Sequence, residues 1–159
     1  MRPAIADRDA RARFDQKILQ SALDGRHLPP YLPTEPNGAG AGAAAADVVP
    51  VVLEAIQEAH GLDAWDAEAY ERVFLGEAMR AWHGELDVER RPNTLVMRTP
   101  TCPVLAQAQR DARVCQMCRA LHAAAAQEGY GWRLHGITFT RLITRGEPAC
   151  EMHVAVAPP

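Results

Sequence analysis

Four cysteines are the residues of this chain best suited to chemistry: Cys102, Cys115, Cys118 and Cys150, all in its second half. Cys115 and Cys118 sit three apart in a helical pattern, so both thiols point to one face. Two thiolates sharing a face repel each other unless a metal or cluster neutralises them, or unless they are redox partners. Cys102 precedes Cys115 by 13 residues. On one straight helix that is about 20 Å of rise, too far for a shared site. Asp111 supplies a break, because it is a good N-cap for a second helix. A turn there folds the Cys102 end back toward Cys115. Cys150 lies just past a hairpin turn, placed to reach a neighbouring helix. Four thiolates so gathered suit a tetrahedral zinc or an iron–sulfur cluster. The plainer alternative is four small buried apolar side chains.

Other readings of the Cys-x-x-Cys pair fit less well. A thioredoxin-like pair needs a strand running into the helix that carries it, and here the preceding AQAQRDARV is polar and helical. A zinc knuckle wants a turn beside its pair, whereas Gln116-Met117 continues a helix. His122, four residues after Cys118, shares its face and is the best substitute ligand if Cys102 stands apart. His153 falls on the opposite strand face from Cys150, and His135 lies on the long preceding strand. No Gly-rich phosphate loop, serine elbow or paired-carboxylate motif is present.

The elements that must position these thiols follow from periodicity. Pro3 to Asp24 is helical, with Phe14, Ile18, Leu19, Ala22 and Leu23 on one face. Then comes HLPPYLPTEPNGAGAGAAAA, stiff with proline and then loose with glycine. Asp47 is read as the cap of a helix ending near His60-Gly61. A second helix runs from about Asp63 to His83, with Gly84 as its stop and Gly76 as a possible close crossing. Thr94 to Arg98 reads as a strand. Cys102-Pro103 opens a helical stretch, and another helix covers about Ala112 to Gln127, ending at Gly129. Two strands follow, the first from Trp132 to Ile143 with a bulge at Gly136. The last holds the alternating Met152, Val154 and Val156. The fold class is α+β: helices packed on a small antiparallel sheet ending in a β-hairpin, with a tethered N-terminal helix.

Composition narrows the function. The chain has 159 residues and a net charge of −3, unevenly spread: −7 over residues 47–91 and +3 over residues 92–159. That balance argues against a nucleic-acid partner. No apolar stretch is long enough for a membrane span. Arg2 to Arg13 is studded with Asp, unlike a secretory signal. The expectation is a cytoplasmic protein whose cysteines are ligands or redox groups rather than disulfides. Residues 1–46 read as an arm whose helix, residues 3–24, docks a protein partner. Residues 47–159 read as the cysteine-rich metal-binding domain, with a homodimer left open. With few large apolar residues, that domain gains from a metal that contributes to folding.

The pattern Cys-Pro-x11-Cys-x2-Cys followed by Gly-Glu-Pro-Ala-Cys-Glu-Met-His-Val, over about Asn93 to Val156, resembles the superfamily of the 4-vinyl-reductase and methanogen output domains. It is also similar to the C-terminal domain of the SUF-operon repressor. The matching positions are Cys102-Pro103, Cys115, and Gly146-Glu147 with Cys150. The resemblance implies a metal site: zinc in the aromatic-sensing members, an iron–sulfur cluster in the repressor. Cys118 is additional to the repressor's three cysteines and completes an all-thiolate set, which favours 4Fe–4S over an open zinc. The repressor's helix-turn-helix has no counterpart here. A related family similar to aminothiazoline carboxylate hydrolase keeps a small enzyme in play.

The leading expectation is therefore a stand-alone metal-binding protein, a redox or metal sensor or accessory. Cys102, Cys115, Cys118 and Cys150 hold an iron–sulfur cluster, with zinc as the alternative. A second reading is a zinc-stabilised small-molecule-binding or hydrolytic domain, its pocket lined by Trp132, Phe139, Phe74 and Met79. A third is a thiol redox protein using Cys115 and Cys118.

Overall fold

A computed structural model of the chain describes residues 3–23 and 41–159. Helix α1 is Arg8–Ala22 and α2 is Ala41–His60. Helix α3 is a π-helical run, Ala69–Met79, continued by an α-turn, Arg80–His83. Strands β1, Asp87–Arg91, and β2, Thr94–Thr99, precede α4, Leu105–Arg110, and α5, Ala112–Tyr130. Strand β3, Leu134–Arg141, and β4, Cys150–Val156, close the fold. Among the described residues there is one antiparallel sheet, in the order β1-β2-β4-β3. This is the expected α+β arrangement of helices on a small sheet. Strand β1 is an addition, because its DVERR sequence is too polar to read as a strand by itself.

Period-2 alternation decides which strand face meets the helices. Leu95, Met97 and Thr99 of β2 and Met152 and Val154 of β4 are buried there. The opposite face is charged: Arg98 bonds Glu89 at 3.0 Å and Glu151 at 2.7 Å, and His153 pairs with Glu151 at 2.8 Å. Arg91 and then Arg98 hold the Glu89 carboxyl down near 2, and Arg98, His153 and Thr140 hold Glu151 there. The β3–β4 register shifts between Leu134 and Gly136, the bulge the sequence announced.

Asp111 separates α4 from α5 as expected. Its extended backbone (φ −141°) ends α4, and its carboxylate accepts the Arg113 N–H at 3.0 Å to start α5. Gly129 does not end α5. The helix runs on to Tyr130, and Gly131, with φ +55°, is its cap. Gly129 instead lets α5 press on α3: a Cβ there would lie 2.8 Å from Tyr70 Cβ and 3.1 Å from the Asp66 carbonyl oxygen. The close crossing is thus at Gly129. A Cβ on Gly76 would meet only the Glu71 carbonyl of its own helix, at 3.3 Å.

The N-terminal arm differs most from expectation. Leu19, Ala22 and Leu23 are buried in the same core as Ile56, Phe74 and Met79, with Ile18 packed against it. Polar contacts fix the helix as well. Asp15 Oδ2 lies 2.8 Å from His60 Nε2, the Ile5 N–H donates to the Ala59 carbonyl at 2.9 Å, and Gln16 donates to the Ala81 carbonyl at 2.7 Å. The apolar stripe read as a partner's anchor is therefore already occupied by α2 and α3. Helix α2 begins at Ala41, inside the segment read as linker, and Asp47 lies within it rather than capping it. The remainder of that linker, residues 24–40, lies outside the described residues.

Two stability measurements follow. Leu19→Ala removes a fully buried side chain from a shared core and should cost about 2–5 kcal/mol in chemical denaturation; an unchanged midpoint would mean that α1 stands apart from the core. Gly129→Ala should lower the melting temperature, even though alanine gains roughly 1 kcal/mol in a free helix; a higher melting temperature would refute the close crossing.

Candidate metal centre

The four cysteines reach one place from three separate parts of the chain. Cys102 follows β2 and precedes α4, where its carbonyl accepts the Leu105 N–H at 3.2 Å. Cys115 and Cys118 are one turn apart on α5. Cys150 opens β4, directly opposite Thr99 of β2. All four line a single cavity of about 40 Å³ beneath α5, together with Trp82, Met97, Val104, Phe139 and Leu142. Each is a free, partly buried thiol.

Apolar side chains share the lining with His83, Thr99, Arg119, His122 and Thr144. Cys150 Sγ accepts the Ile143 N–H at 3.4 Å, and Cys115 Sγ lies 3.8 Å from Thr144 Oγ1. Burial pushes the Cys118 thiol far up, and Cys115, Cys102 and Cys150 push it further. Burial likewise raises Cys102, with Cys115 adding to it, and raises Cys150, with Cys102 and Cys115 adding. The thiols thus sense one another, and a negative charge on one opposes a charge on the next. A cation in their midst reverses that penalty, because it stabilises thiolates directly.

Two histidines complete the lining. His122, whose spacing to Cys118 marks it in the sequence, is fully buried, its ring edge-on to Phe74 and Phe139 at centroid distances of 5.5 and 6.3 Å. Burial holds it at about 3, so it is neutral. The cysteine pattern does not point to His83. It ends α3, and only the fold carries it to the cysteines, so no local spacing could have signalled it. Its Nδ1 lies 3.0 Å from the Thr101 carbonyl oxygen, while Thr101 Oγ1 donates to the His83 carbonyl at 2.7 Å. Thr99 Oγ1 donates to the Glu85 carbonyl at 2.7 Å. These bonds tie the end of α3 to the segment that presents Cys102. Arg119 also lines the cavity, its guanidinium 5.9 Å from the Phe139 ring centroid.

The donor set suits a soft transition metal: four sulfurs and two imidazoles in an apolar setting. Among the described residues, no three His, Cys, Asp or Glu side chains stand close enough together to hold an ion as they are. Rotation about χ1 moves a cysteine sulfur without moving the backbone, so thiols that line one cavity can close on a cation. The pocket envisaged around Trp132, Phe139, Phe74 and Met79 does not form. Phe74 and Met79 are core, Trp132 is 83% exposed, and Phe139 alone faces the cysteine cavity. No helix among the described residues is long and apolar enough to cross a membrane. Compared with known protein families, curated proteins and solved structures, the chain has no match in any of the three.

Proposed function

We propose that this protein binds a thiolate-coordinated metal centre and acts through it, as a redox or metal sensor or as an accessory to a larger partner. The observation that carries this reading is the convergence of Cys102, Cys115, Cys118 and Cys150 on one small cavity. Unrelated buried cysteines would be scattered through the core. Here the loop after β2, two turns of α5 and the first residue of β4 each deliver thiols to the same 40 Å³. That space is far below the roughly 300–1,000 Å³ of a small-molecule pocket. The cysteine cavity therefore favours a metal over a small-molecule ligand as its occupant.

An iron–sulfur cluster, 4Fe–4S in the first instance, is the primary assignment. Its support is the presence of four cysteines around one cavity and the nearby Arg119 guanidinium, which offsets the negative charge of a thiolate-ligated cluster. The resemblance in the cysteine motif points the same way. When bound, such a group supplies one-electron chemistry or a metal-dependent conformational signal. The chain's own residues supply the sulfurs, exclude water and set the local charge. Zinc is the second reading, and the buried imidazoles of His83 and His122 favour it, because mixed sulfur and nitrogen sets are common zinc ligands.

Purification of the full chain without oxygen, followed by iron, sulfide and zinc analysis, tests the proposal. Brown protein with iron and sulfide in equal amounts supports the cluster, and one zinc per chain supports the second reading. Protein that neither carries nor takes up either would overturn both. Cys118→Ala should abolish stoichiometric loading and, because metal stabilises the native state by mass action, should remove any metal-dependent rise in melting temperature. Full loading of that variant would exclude Cys118 from the site.

A further inference from the structure

We propose that His83 is a nitrogen ligand of the metal in the cysteine cavity, so that the centre is a mixed thiolate–imidazole site. The proposal rests on the metal-binding reading above and assigns a ligand that the cysteine pattern does not contain.

The geometry of the ring carries it. A carbonyl oxygen can only accept, so the 3.0 Å contact with the Thr101 carbonyl places the proton of the neutral His83 ring on Nδ1. That leaves Nε2 with its lone pair. Nε2 is buried and has no hydrogen-bond partner, although His83 lines the cavity with all four cysteines. A buried ring nitrogen left without a partner carries a desolvation cost. Coordination removes that cost. Metal-bound histidines characteristically donate their other N–H to a backbone carbonyl or carboxylate, which fixes both the tautomer and the ring plane. His83 is already held in that arrangement. Thr101 Oγ1 donates to the His83 backbone carbonyl at 2.7 Å, making the contact reciprocal, and Gly84, with φ +81°, ends the helix so that the ring stays at its last turn. Thr101 is also the neighbour of Cys102, so the bond that orients the imidazole anchors the segment that presents the thiol.

His122 reinforces the point. It is fully buried, it lines the same cavity, and its Nδ1 likewise has no partner. His83 is the stronger candidate because its tautomer is fixed by a named acceptor. With His83 as one ligand, a four-coordinate ion engages at most three of the four thiols.

The test adds cadmium-113 to the full-length, reduced, metal-free protein with nitrogen-15 in its histidines, and follows the ring nitrogens by long-range proton–nitrogen correlation. The chain has six histidines, and His83→Gln assigns the signal. The expected result is a large shift of the His83 Nε2 resonance, split by coupling to cadmium. His83→Ala should weaken cadmium binding by at least about tenfold in competition with a chelator. Cadmium held by the thiols with the His83 ring signals unmoved would overturn this proposal and leave the thiolate site standing. Failure of the wild-type protein to bind cadmium at all would overturn both. The wild-type spectrum decides the matter even if the alanine variant folds poorly.

Discussion

Thr99 and Cys150 face one another across the β2–β4 ladder, and the cysteine cavity depends on that register. Side chains alternate faces along a strand, so a slip of one residue would turn Cys150 out to the charged side and bring Glu151 and His153 inward. The buried Met152 and Val154 oppose the slip, because moving β4 by one residue would turn both of them out of the core. Once Cys150 is fixed on the inner face, it lies beside the segment that leaves β2. That segment holds Thr101, which bonds to His83, and Cys102. The ladder thus sets where the first and last cysteines meet, and α5 is laid over them from above.

Burial on this scale has an electrostatic consequence. Cys118 is pushed up by its surroundings and by three other thiols, so in the absence of a cation the group stays neutral. The same apolar wall that disfavours thiolates strengthens their attraction to a positive charge. A cavity of this kind is poorly suited to surface thiol exchange and well suited to a metal that enters with release of protons. The charged outer face of the sheet, with Arg98 between Glu89 and Glu151, has the opposite character: its ion pairs are solvated and contribute little each.

The N-terminal helix shows a different economy. A chain with few large apolar residues gains by recruiting α1, because Leu19 and Leu23 extend the core beneath α2 and α3. The buried Asp15–His60 contact then acts as a register mark, since a carboxylate and an imidazole buried together tolerate only one seating of the helix. The arm is thus structural in its helical part, whatever else residues 24–40 do.

The sequence by itself determined what local rules control. The i,i+3 spacing put Cys115 and Cys118 on one face, Asp111 broke the helix between them and Cys102, and alternation placed Met152 and Val154 inward. Hydrogen-bond geometry and side-chain period act over a few residues, so these features were legible. The helix positions of Gly129 and Asp47 were not, because helix length here is decided by packing against Tyr70 and by residues beyond the local window. Trp132 read as a strand core residue, yet it sits exposed in a short 3₁₀ turn before β3. The docking of α1 and the arrival of His83 beside the cysteines were decided only by tertiary structure. Both depend on residues far apart in sequence, brought together by burial of a shared core, and no spacing rule reports which face that core will cover.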